Sequence, residues 1–253
     1  MPDRERFRPD PSLSRSEMEA LQREVADAAV FADDCGVAPD DIRAGDALVA
    51  GVDQAFLTTT EPERAVSAVV VLRGDEVVER THAVTELSIP YVPGLLAFRE
   101  GGPILEALET LDADPDLYLF DGSGRIHFRE AGLATHVGVI RDTPSVGVAK
   151  RLLCGTPREP VDELPEGERV PIEADDSMDT PEGTVVGYAY QSRQYPNSQR
   201  INPLYVSPGH RVSAETAVSF VAACGGEYKL PEPTRLADAY ADEVKRRVEG
   251  DGE

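Results

Sequence analysis

The sequence predicts an α/β fold, a mixed β-sheet flanked by helices, in one domain over residues 1–253. Three observations predict it. Apolar runs too short for helices (47–56, 65–73, 117–120, 144–149) alternate with segments whose apolar residues recur at helical spacing. Two of the strand-like segments meet across Gly74-Asp75, the signature of a tight hairpin. The run Leu117 to Phe120 (LYLF) is apolar at every position, as a central strand covered on both faces must be.

Taken in order, residues 1–12 are charged and are expected to fray. Ser14 with Glu17 forms a capping box, and Met18, Leu21, Val25 and Ala28 recur at helical spacing, so a helix runs to about Phe31. Residues 32–46 read as an acidic loop. Strands follow at 47–56, 65–73 and 76–84. Residues 88–94 (SIPYVPG) hold two prolines around Tyr91, a stiff extended element. A helix over 95–111 is interrupted by Gly101, Gly102 and Pro103. Then come strand 117–120, helix 130–141 and strand 144–149. The order β-β-β-α-β-α-β, antiparallel first and parallel later, is that of a ribonuclease H-like sheet. Residues 159–182 are acidic and proline-rich, a solvated surface insert. Segments 184–191 and 203–207 bracket another hairpin, and helices close the chain at 213–223 and 234–248.

Composition bounds the setting. A chain of 253 residues with 41% apolar content buries a full core, and its long apolar runs exclude a disordered acidic protein. The net charge is −22, and only Lys150, Lys229 and Lys245 are lysines, so 22 of 25 basic residues are arginine. Such a composition points to a high-salt cytoplasm and a halophilic archaeal source. At molar salt the Debye length shrinks to about 3 Å, and net charge stops selecting partners. Cys35, Cys154 and Cys224 are widely spaced with no CxxC, as expected of reduced cytosolic thiols. No apolar stretch reaches the ~20 residues of a membrane span, and the expectation is a cytoplasmic monomer.

Residues 84–158 carry the chemistry. Glu100 and Asp121 sit beside runs cleared of other acidic residues (87–99, 117–129, 143–158) in a chain with 47 Asp and Glu. Clearing the surroundings of two carboxylates suits an anionic substrate. Asp53 ends the apolar stretch ALVAGVD. If these three converge at one sheet edge, their hard oxygens suit Mg²⁺, with Mn²⁺ as a substitute, and the centre is that of a metal-dependent nuclease. Lys150, in a chain nearly purged of lysine, is placed to hold a scissile phosphate or its attacking water. His127, His136 and His210 fall in acid-free runs and are candidates for substrate contact or catalysis; a satisfied core histidine is the competing reading of His136. No HxxxH spacing suggests zinc. Tyr91, gripped by Pro90 and Pro93, has the form of an intercalating wedge. Gly94, Gly122 and Gly124 leave backbone amides uncovered by side chains, which suits reading the edge of an everted base.

Together these residues resemble endonuclease V, the deoxyinosine 3′ endonuclease family. The matching segments are AGVD (50–53), PYVPGLLAFREGGP (90–103), PDLYLFDGSGRIH (115–127), GLATHVGV (132–139), PSVGVAKRLLCGT (144–156), VSPGH (206–210) and PEPTRLAD (231–238). The resemblance implies a ribonuclease H-like fold and Mg²⁺-dependent cleavage of DNA at the second phosphodiester 3′ to deoxyinosine, leaving 3′-hydroxyl and 5′-phosphate ends. By position it implies Asp53, Glu100 and Asp121 as metal-binding triad, Lys150 and His210 as helpers, and Tyr91 as wedge. It implies Gly94, Leu96, Gly122, Gly124 and Leu133 as lining of the inosine pocket. Inosine-containing RNA remains an alternative substrate, and a catalytically silent inosine-binding module an alternative role. Phe128-Arg129-Glu130 departs from the family's Pro-Arg-basic pattern and puts phosphate contacts there in doubt, and the acidic insert looks particular to this chain.

Overall fold

The capping box at Ser14 forms as expected: its hydroxyl accepts from the Glu17 N–H while the Glu17 carboxylate accepts from the Ser14 N–H. Helix α1 (Arg15–Ala28) follows, then a short α2 (Pro39–Ala44) inside the stretch expected to be loop. The strands and helices of the centre are β1 (Leu48–Leu57), β2 (Arg64–Arg73), β3 (Glu76–Glu86), α3 (Leu96–Glu109), β4 (Leu117–Asp121), α4 (Leu133–Arg141) and β5 (Ser145–Ala149). The chain continues through β6 (Thr156–Pro157), β7 (Arg169–Glu173), β8 (Val185–Tyr190) and β9 (Leu204–His210) to α5 (Ala214–Ala223) and α6 (Glu232–Gly250). This computed structural model describes residues 4–195 and 202–250.

One mixed sheet runs in the order β3-β2-β1-β4-β5-β9-β8-β7-β6. β1, β2 and β3 are antiparallel, whereas β4 lies parallel to both β1 and β5. The parallel pair explains the unbroken apolar run of β4. Tyr118 and Phe120 face the cluster of Val52, Ile104, Leu108 and Val137 under α3 and α4, and Leu117 and Leu119 face Val146, Val218 and Phe220 under α5. Pairing each face with a helical layer removes both from water, at roughly 25 cal/mol per Å² of apolar surface.

Three expectations are corrected. Residues 1–12 do not fray from Arg4 onward: Arg4–Phe7 form a 3-10 turn, Phe7 is buried in the main core, and its carbonyl accepts from His136 Nε2 at 2.7 Å. One aromatic anchor outweighs the charged residues around it. The 159–182 insert is a solvated excursion only in part: residues 159–168 are exposed or half-buried, but β7 pairs with β8 and buries Val170, Ile172 and Met178 against Ile126 and Val186. Helix α3 runs unbroken through Gly101, Gly102 and Pro103.

Two glycines let backbone approach backbone where the site is built. A Cβ on Gly51 would lie 2.0 Å from the Pro233 carbonyl oxygen, so only glycine lets the start of α6 abut β1. A Cβ on Gly147 would lie 2.4 Å from the Gly124 nitrogen, so only glycine lets the turn after Asp121 fold across β5.

Candidate functional site

β1 pairs with β4 as far as Val52 and Phe120, so the next residues, Asp53 and Asp121, emerge side by side where the two strands part. Asp53 does not end its strand, as the sequence suggests, since β1 continues against β2 to Leu57. Glu100 comes from the second turn of α3, where the Gln54 side chain donates to its carbonyl oxygen. All three carboxylates line a cavity of about 400 Å³ together with Leu96, Gly122, Leu133, Lys150 and Arg151.

These carboxylates are costly to keep. Asp53 and Glu100 are each only 9% exposed. Burial and then the Asp121 charge push Asp53 up to about 9, against the opposing Gln54 N–H and Lys150. Burial, with a smaller push from Asp121, raises Glu100 to about 7. One Asp53 oxygen accepts from the Gln54 N–H at 2.7 Å, while the other, Oδ2, is buried with no hydrogen-bond partner. An uncompensated buried carboxylate costs several kcal/mol. Folding alone gives no reason to retain it.

Lys150, just beyond β5, donates to Asp121 Oδ2 at 2.6 Å. Burial lowers its pKa, but the hydrogen bond to Asp121 and the charges of Asp121, Asp53 and Asp238 outweigh that and leave it raised. The lysine is therefore cationic and partly offsets the site. Asp238, on α6, is a carboxylate whose role sequence reasoning missed; its charge reaches both Asp53 and Lys150. The available signal was its place five residues after Pro233, at the start of a helix that only Gly51 admits against β1.

Asp53, Glu100 and Asp121 share one cavity, and the Asp121 charge acts on both of the others. Among the described residues no three His, Cys, Asp or Glu side chains close into a ligand set. The donor chemistry nevertheless fits a hard divalent cation: carboxylate oxygens, one of them buried and orphaned, in a site with more negative groups than cations.

The substrate-side residues divide. Tyr91 is 66% exposed on a loop pinned at both ends. Arg99 donates to the Ile89 carbonyl at 2.7 Å, and the Gly94 carbonyl accepts from Gln22, His127 and Arg129. Leu96, Gly122 and Leu133 line the cavity of the three carboxylates. The amides of Gly122 and Gly124 are spent on the Val148 carbonyl and Ser207 Oγ, so neither is an open donor for a base. Gly124 is instead a packing residue against Pro208.

The histidines are corrected. His127 is buried, donates from Nε2 to the Gly94 carbonyl and accepts the Arg129 N–H at Nδ1, so neither ring nitrogen is open to substrate. Burial, helped by Arg129, holds it down at about 4, hence neutral. It anchors the Tyr91 loop from behind. His136 is fully buried, bonded to Phe7 and edge-on to Phe98, and burial holds it at about 4. It is the core histidine of the competing reading. His210 pairs with Ser145 at the start of β5, whereas Asp121 pairs with Val148 near its end. Three residues along the strand and two strand spacings across the sheet put His210 roughly 14 Å from Asp121. There it accepts the Val30 N–H at Nδ1 and donates to Asp142 at 3.1 Å. Antiparallel β9 carries its acid-free run away from the site, which the sequence alone does not reveal.

Glu130, the departure that put phosphate contacts in doubt, accepts from Arg125 at 2.6 Å, which neutralises its charge.

Comparison with known proteins bears on the whole chain. The Endonuclease V family model matches residues 36–239. The Endonuclease V of Natronomonas pharaonis is 72% identical over 247 residues, covering 98% of this chain and 98% of that protein. The crystal structure of Endonuclease V from Streptomyces avermitilis matches with a TM-score of 0.78 at 34% identity, over 93% of this chain and 94% of the other. Endonuclease V of Ciona intestinalis, solved in complex with a 24mer DNA containing an inosine followed by a ribo-adenosine, matches with a TM-score of 0.74 at 27% identity, over 92% and 98%.

Proposed function

Since the chain belongs to the endonuclease V family of nucleases, we propose that it recognises deoxyinosine in DNA and hydrolyses the second phosphodiester 3′ to it. The observation that carries this reading is the side-by-side placing of Asp53, buried with an orphaned oxygen, and the half-buried Asp121, held by Lys150. Asp53 and Asp121 would hold Mg²⁺ or Mn²⁺, with Glu100 and Asp238 beside them. A divalent ion held by these residues would supply Lewis-acid chemistry, lowering the pKa of a water and offsetting charge on a leaving oxygen.

The protein's own groups do the rest. Lys150 offers a point charge to a non-bridging phosphate oxygen when phosphate competes for it with Asp121. Glu100, held near 7, takes the proton of the attacking water at its carboxylate. Water adds to phosphorus, the bond to the 3′ oxygen breaks, and that oxygen takes a proton from solvent, giving 3′-hydroxyl and 5′-phosphate ends. Tyr91 enters the base stack from its pinned loop, and Leu96, Gly122 and Leu133 line the space that takes the everted base. The whole chain acts as one domain and as a cytoplasmic monomer; its free cysteines fit a reducing compartment. No described helix is long and apolar enough to cross a membrane. The lysine-poor acidity fits the halophilic archaea among its relatives.

The test is a nicking assay in molar KCl on matched DNA and RNA strands, each with one inosine, with and without Mg²⁺. Cleavage of the DNA strand two phosphates 3′ to inosine, only with metal, is the expected result. Preference for the RNA strand would reassign the substrate. Binding without any cleavage would make the protein a silent inosine binder.

A further inference from the structure

The cavity has a second wall that the carboxylate chemistry leaves unused. After β5 the chain runs through Lys150, Arg151, Leu152, Leu153 and Cys154 before entering β6. Its side chains alternate. Leu152 packs against the cluster of Ile126, Val170 and Ile172, in which Cys154 is buried, while Arg151 and Leu153 are exposed and both line the cavity. Strands hold the segment at each end, since Ala149 pairs with Tyr205 and Thr156 with Glu173. The wall is therefore built on fixed backbone.

The two outward side chains are uncommitted. Arg151 and Lys150 are the cations among the residues lining the cavity, and Lys150 is engaged by Asp121. Other arginines are engaged too: Arg99 with Glu63, Arg125 with Glu130, Arg129 with Gln22 and Arg158 with Glu173. Arg151 makes no ion pair, hydrogen bond or ring contact among the described residues. Leu153 is 40% exposed, a large apolar side chain left in water beside the cavity mouth. A free guanidinium and a free apolar side chain, one residue apart on one wall, match what one strand of nucleic acid presents: an anionic phosphate and an apolar base or sugar face. The carboxylates of the same cavity repel phosphate, so an uncommitted cation in its lining has a clear use.

We propose that Arg151 and Leu153 form a two-part grip on the substrate strand, Arg151 binding a phosphate next to the scissile one and Leu153 packing on the adjoining nucleotide. The proposal rests on the nuclease reading above and adds substrate-binding residues to it. The two parts respond differently to salt. A phosphate contact releases counterions and contributes about 0.7 to the slope of log affinity against log salt on a single strand. An apolar contact contributes nothing to that slope.

The test is binding of a single-stranded oligonucleotide with one deoxyinosine, followed by fluorescence anisotropy in EDTA from 0.1 to 2 M KCl. Arg151→Ala is expected to lower affinity at 0.1 M and flatten the salt slope by about 0.7, and Arg151→Lys to restore most of the slope. Leu153→Ala is expected to weaken binding about five-fold or more at every salt concentration with the slope unchanged. Arg73→Ala, an exposed arginine at the far end of β2, serves as control, and far-ultraviolet circular dichroism checks that each variant is folded. An Arg151→Ala slope equal to that of wild type and Arg73→Ala overturns the phosphate contact, and a Leu153→Ala affinity equal to wild type overturns the apolar one. Because the strand is uncut in EDTA, these outcomes are separate from the nuclease reading, which fails if Mg²⁺ then produces no nick.

Discussion

The two ends of the central strands hold the same kinds of side chain in opposite arrangements. At one end Asp53, Glu100 and Asp121 crowd a cavity with one engaged cation, and a buried oxygen of Asp53 has no partner. At the other, Asp142 alone accepts a hydrogen bond from His210 at 3.1 Å and forms ion pairs with Arg4 and Arg211 at 2.9 Å. Burial pushes Asp142 up, but the His210 hydrogen bond and the two arginines outweigh it and leave the carboxyl below its usual range. Charge at that end is answered from within the chain and ties the amino terminus, α4 and β9 together. At the cavity end charge is left unanswered by the chain itself, and under the proposed function a divalent cation would answer it. Surplus, not the presence of acidic residues, marks the functional end.

Variants break the comparison most sharply at the catalytic end. Asp121→Ala is expected to cut metal-dependent nicking of a deoxyinosine duplex by more than about 10²-fold, beyond the 10–100-fold typical of an outer metal-shell partner, while binding measured in EDTA survives. Nicking at the wild-type rate would remove Asp121 from the chemistry. Next in size, Tyr91→Ala should slow duplex cleavage by about ten-fold, the value of one lost stacking contact, with a smaller effect on single strands. Equal loss on both substrates would deny it the wedge role.

At the paired end the expected effects are on stability. His210→Ala leaves the Val30 N–H and Asp142 without their partner and should cost about 1–3 kcal/mol in urea unfolding, with nicking by the folded protein within about two-fold of wild type. A collapse in activity at unchanged stability would return His210 to the catalytic set. The smallest effect is in pH. Asp53 and Glu100 are raised when folded, so the folded protein holds protons that the unfolded chain has released. Their contribution to stability is complete below about pH 4 and is lost as pH rises through about 7 for Glu100 and about 9 for Asp53. Melting of the metal-free protein should therefore fall between pH 6 and 9, and added Mg²⁺ should raise the melting temperature more at pH 9 than at pH 6. Asp53→Asn should flatten that fall; a profile unchanged by the substitution would contradict the origin assigned to it.

The sequence by itself determined what is local. The capping box at Ser14, the hairpin at Gly74-Asp75 and the doubly buried run of β4 depend on neighbours a few residues away, and each appears in the structure within a few residues of its expected place. Tertiary structure decided what depends on distant partners. It sent His210 to the wrong end of the sheet for catalysis, because strand direction reverses in β9. It brought Asp238 toward Asp53, because Gly51 admits α6. It closed both nitrogens of His127 on backbone and folded the acidic insert into an added strand. Burial and the fields of distant charges are properties of assembled space, and they alone separate a carboxylate that holds the fold from one that waits for a substrate.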